Sequence, residues 1–207
     1  MLLELLLSCT GSVPPGDSQA EEPSCPELSG FGAEAEQDWG VHADSPTLAS
    51  GSWTRSIHLD GEAVQTVEQG QLLAHDGNEA RFEDRRSYRC DEEGLWWLSR
   101  ELWLEVDSGG QVTERLQLTE WELPPLLLPV GELQMGDSWE GVERYVITVN
   151  GEPDAPIEQA YTVSLDAWLW VTVPAGTFES FQWRKGDRVE FLSAGTGRVR
   201  DEDGELL

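Results

Sequence analysis

The side chains that could do chemistry in this chain are few, and their spacing does not favour it. His42, His58 and His75 are scattered, with no His-x-x-x-His and no His/Cys pairing, so the sequence spells out neither a zinc site nor a histidine acid–base pair. Cys9, Cys25 and Cys90 stand far apart, and C-x-x-C redox or metal chemistry needs two thiolates within one turn. Carboxylate runs such as Asp91-Glu92-Glu93 are abundant, but among 40 acidic residues they select nothing. Asp201-Glu202-Asp203-Gly204-Glu205 lacks the ligand spacing of a calcium loop and reads as a solvated tail. No G-x-S-x-G, phosphate-cradling glycine loop or dinucleotide fingerprint occurs. The expectation is a protein with no catalytic residues, no metal and no cofactor.

Cys9 is the exception, because its neighbours suggest a modification. Leu6-Leu7-Ser8-Cys9 resembles a bacterial lipobox, in which a leucine and a small residue precede the cysteine that becomes acylated. The match departs from the pattern: the apolar run is short, Glu4 interrupts it and no basic residue precedes it. The reading is a signal sequence whose true start codon lies upstream of Met1. Residues 1–8 are then its remnant, and the mature chain begins at a lipidated Cys9. From Thr10 to Asp38 the chain is rich in Ser, Gly, Pro and Glu, and its first basic residue is Arg55. Such a stretch buries too little apolar surface to order itself, so residues 9–38 are expected to form a disordered acidic tether. Stable anchoring takes more than one acyl chain, each contributing about 0.8 kcal/mol per buried CH₂. Cys25 and Cys90 remain as an even pair, which in an exported protein points to one disulfide; two free thiols are the alternative.

The charge fits this picture. Thirteen basic residues against 40 acidic ones give a formal net charge of −27, which repels nucleic acid and excludes it as a partner. Adaptation to a salty medium would produce the same bias. Ten tryptophans nevertheless require a core.

The elements that build that core read as strands. Tyr161, Val163, Leu165, Ala167, Leu169, Val171 and Val173 share one parity and are apolar, and alternation over that length is the mark of a half-buried β-strand. Pro174-Ala175-Gly176 then turns the chain into a returning strand. Asp60-Gly61, Asp76-Gly77-Asn78 and Asn150-Gly151 punctuate further extended runs from Ser52 onward. Leu123 to Val130 carries three prolines, which a central strand cannot hold, and reads as an extended segment packing its leucines on a sheet. The opposite parity of the long strand carries Trp168 and Trp170. With Trp96 they could line a concavity for an apolar ligand, although strand tryptophans usually belong to a core. Arg81, Arg85, Arg86 and Arg89, and a second group from Arg184 to Arg200, are expected to make cross-strand pairs with carboxylates.

Residues 123–200 also resemble a group of uncharacterised bacterial lipoproteins. The resemblance is carried by Pro125-Leu126-Leu127-Leu128-Pro129, Met135-Gly136-Asp137-Ser138-Trp139, Val173-Pro174-Ala175-Gly176-Thr177-Phe178 and, more loosely, Phe191 to Val199. It implies a periplasmic half-barrel-like β domain and brings no catalytic residue with it. The sequence therefore predicts an all-β fold, mostly an antiparallel curved sheet or half-barrel over residues 39–200, between the N-terminal tether and an acidic tail at 201–207. The expected role is a non-catalytic, lipid-anchored envelope lipoprotein acting as a structural or protein-interaction module, with a carrier or sensor of an acyl chain as the alternative. Its expected place is extracytoplasmic, at the outer membrane facing the periplasm, with the membrane and an envelope protein as partners.

Overall fold

A computed structural model describes residues 35–207 except 132 and 194. It is all-β: fourteen strands joined antiparallel in one sheet. The first six are β1 (Ala35–Val41), β2 (Leu48–Asp60), β3 (Ala63–Ala74), β4 (Glu79–Cys90), β5 (Gly94–Asp107) and β6 (Val112–Leu123). Then come β7 (Leu126–Pro129), β8 (Ser138–Val149), β9 (Glu152–Pro153), β10 (Ile157–Val173) and β11 (Gly176–Lys185). Three short strands finish the chain: β12 (Arg188–Ser193), β13 (Gly197–Arg200) and β14 (Gly204–Leu206).

The sheet closes. β10 pairs with β8 on one side, and β14 pairs with β1 on the other, so the expected half-barrel is a complete 12-strand barrel. Closure removes the free edges that an open sheet would expose to aggregation. Two boundaries are corrected by it. Residues 35–38, expected in the tether, already belong to strand β1, and residues 201–207 are no solvated tail. Trp39 pairs with Leu206, both buried, and Leu207 N–H donates to the Asp38 carbonyl at 2.9 Å.

Local sequence explains most strands. Asn150 and Gly151 both take positive φ, 50° and 88°, the geometry of the two-residue turn that matches strand twist. In β3 and β4 the alternate residues Val64, Thr66, Glu68 and Asp84, Tyr88, Cys90 are buried, while their neighbours face water. Leu127 and Leu128 of β7 are buried beside Leu95, Trp97 and Trp183, and Trp183 Nε1 donates to the Leu127 carbonyl at 2.9 Å. The proline segment thus packs its leucines as expected, in the apolar cluster that fills the end of the barrel where β5 begins.

The long strand β10 serves two clusters. Val163 and Leu165 join the first; after a pairing shift between Leu165 and Ala167, Val171 and Val173 pack with Trp39, Trp53, Val199 and Leu206. Trp39 stacks on Trp53 at 5.9 Å. A Cβ at Gly204 would lie 2.2 Å from Trp53 Cη2, so only glycine lets the last strand approach that ring. Gly204→Ala is expected to lower stability by about 1–3 kcal/mol through overpacking. Urea unfolding measures it, and an unchanged midpoint would contradict the closure contact.

Candidate functional site

The sequence-predicted site residues do not come together. Trp168 and Trp170 are solvent-exposed, at 50% and 67%. Trp168 stacks on Phe181 at 6.0 Å and donates to Glu179 at 2.7 Å. Trp96 lies on β5, half-buried, with its indole N–H on Asp91 at 2.9 Å. The lumen cavity between the 201–203 turn and β2 to β5 is lined by none of these three. Cys90 is buried at the end of β4 and is disulfide-bonded. Cys9 and Cys25 lie outside the described residues. His42 and His75 hold loop carbonyls, of Glu202 and Ser45 respectively, a structural use. Among the described residues no group of three or more His, Cys, Asp or Glu is placed to hold a metal ion.

The chemistry gathers in the lumen instead. Five of the thirteen basic residues, Arg55, Arg86, Arg100, Arg188 and Arg198, meet Glu68, Asp84, Glu190 and Asp201 there. Arg198 on β13 reaches across the barrel to Glu68 on β3, also contacts Asp201 at 3.0 Å and Glu190 at 3.6 Å, and lies 4.6 Å over the Trp39 ring. Arg55 approaches Glu68 at 3.4 Å. Arg86 and Arg100 share one carboxylate, Asp84, at 2.7 and 2.9 Å. Near the plugged end a separate pair, Lys185 and Glu143, is held at 2.9 Å with Trp121 and Gln159 donating to the same carboxylate.

Burial and pairing compete at each of these groups, and pairing wins at the acids. Desolvation alone would raise Glu190, but Arg188, Arg198 and Arg86 bring it down to about 2. Asp84 and Glu68 are lowered for the same reason, burial being overcome by Arg86 and Arg100 at the first and by Arg198, Arg86 and Arg55 at the second. Burial and the Arg198 charge push Arg55 down to about 10, so it stays cationic at neutral pH.

Above this network the lumen is open. A cavity of about 520 Å³ lies between the 201–203 turn and strands β2 to β5, within the roughly 300–1,000 Å³ of small-molecule sites. Leu48, Leu72, Phe82, Leu102 and Leu104 form apolar walls, all half-buried, while Asp84, Arg86 and Arg100 lie deeper. Asp187, Glu202 and Asp203 ring the opening, with Asp203 fixed by Ser45 and Thr47 at 2.6 and 2.7 Å.

The sequence did carry a signal for the lumen. Arg55 stands on the parity of Trp53 and Ile57, Glu68 on that of Val64 and Thr66, and Asp84 and Arg86 on that of Tyr88 and Cys90. Charges on the apolar face of successive strands must meet one another inside, since a buried charge without a partner is prohibitively costly. No family model matches the chain, and no curated protein or solved structure matches it.

Removing Arg198 would leave buried Glu68 with the more distant Arg55 and Glu190 with Arg188, each short of one cation. Arg198→Met is expected to cost about 3–5 kcal/mol in urea unfolding; a loss under about 1 kcal/mol would show the network to be dispensable. Glu190 gives a pH test. Its folded pKa lies below the ordinary 4.5, so its stabilisation is complete above pH 4.5 and disappears as pH falls toward about 2. The stability gap between the natural protein and Glu190→Gln should therefore be constant at neutral pH and shrink across that window. A gap independent of pH would contradict the pairing.

Proposed function

We propose that this chain is a non-catalytic cell-envelope lipoprotein, held at a membrane through an acylated Cys9, whose barrel binds rather than transforms. The observation that carries this reading is the lumen itself. Its charged groups are locked in ion pairs, and a general acid or base needs a pKa near the working pH, whereas Glu190, Asp84 and Glu68 are driven away from it. The disulfide-bonded state of Cys90 supports an oxidising, extracytoplasmic compartment. Tethering rather than insertion is supported by β4, where Arg81, Arg85 and Arg89 are exposed at 65%, 51% and 47%; a membrane-spanning barrel would need an apolar band there. The exposed Trp168 and Trp170 offer an envelope partner an aromatic contact of the kind enriched at interfaces.

A second reading, a carrier or sensor of an apolar ligand, is favoured by the open cavity with its leucine and phenylalanine walls. It moves the ligand from the tryptophans to the mouth of the barrel.

For the anchor, Cys9→Ser is expected to release the protein from the membrane into the soluble fraction; unchanged retention would contradict acylation. Native mass spectrometry of protein taken from a membrane extract separates the two binding readings. A co-purifying lipid mass supports the carrier, and the mass of the acylated chain alone supports the interaction module.

A further inference from the structure

Asp84 is asked to neutralise two guanidiniums. Arg86 and Arg100 both reach it through Nε and Nη2. At Asp84 itself, two guanidiniums share one carboxylate, which leaves a positive charge in excess at that point of the cavity wall. That excess sits in a chain with a net charge of −27, where the acidic surface alone would call for no interior cation. Arg100 keeps 32% of its side chain accessible, and it borders the cavity rather than the plugged end. Phe82, Leu102 and Leu104 continue from this pair toward the opening as an apolar wall.

A planar guanidinium fork matches a carboxylate, and the leucine wall matches a hydrocarbon chain. We propose that the mouth of the barrel binds a long-chain monocarboxylate head-first, its carboxylate on Arg86 and Arg100 and its chain along Phe82, Leu102, Leu104 and Leu72. This rests on the carrier reading and names its ligand class. A cationic amphiphile entering head-first would bring its head against two guanidiniums, and one held by its head at the rim carboxylates Asp187, Glu202 and Asp203 would press its hydrocarbon tail on those buried charges. The carboxylate is repelled only at the rim, where water screens the charges, and gains its contacts in the less polar interior.

Isothermal titration of the full-length chain with dodecanoate, dodecanol and dodecylamine tests this, since the three share a chain and differ in the head. Dodecanoate is expected to bind at least about tenfold more tightly than dodecanol. In Arg100→Gln, whose thermal midpoint verifies the fold, that advantage should disappear while dodecanol binding persists. Equal binding of dodecanoate and dodecanol would overturn the headgroup assignment and leave the carrier reading standing. So would tightest binding of dodecylamine, or a dodecanoate affinity untouched by Arg100→Gln. Binding of none of the three would overturn both.

Discussion

The contact between Arg198 and Glu68 holds the two sides of this barrel to one another. It joins β13 to β3 across the lumen, and the groups around it are arranged in consequence: Arg55 behind Glu68, Asp201 and Glu190 around Arg198, Trp39 beneath the guanidinium. A wide barrel leaves an interior that side chains must fill, hydrate or neutralise. Here one end is filled with Leu127, Leu128, Trp97 and Trp183, the middle is neutralised by paired charges, and the other end is left open. Ion pairs of this kind add little net stability, but each partner becomes indispensable once the other is in place.

The same arrangement divides the molecule by polarity in an unusual sense. Most proteins keep charge outside; this one spends five of its scarce arginines inside and clothes its surface in carboxylates. The surface charge favours solubility and discourages anionic partners at long range. The interior charge acts only at contact distance. An apolar anion can be repelled at the surface and still be held in the lumen, because the two effects operate over different ranges and dielectrics.

Much of the fold was legible because strands and turns are local. The alternation from Tyr161 to Val173, the Asn150-Gly151 turn and the leucines of the proline segment all behave as their residues dictate. Closure was not legible. It depends on Leu206 meeting Trp39 across most of the chain, and the sequence Asp-Glu-Asp-Gly-Glu-Leu-Leu looks like solvent-exposed tail until its partner is known. For the site, Trp168 and Trp170 drew attention by their type, yet the alternating strand leaves that face to water. The informative residues were Arg55, Glu68, Asp84 and Arg86, charges standing on apolar parities, and each looks unremarkable until the strands are laid side by side.

The central claim is that the lumen is a binding site in which Arg86 and Arg100 meet the ligand. Its most direct test is NMR of the arginine Nε–H groups in the full-length chain, labelled with nitrogen-15, before and after addition of dodecanoate. The account predicts that the Arg86 and Arg100 signals move together while those of the surface residues Arg81 and Arg85 stay in place. Shifts confined to the surface arginines, or no shift at saturating dodecanoate, would contradict it.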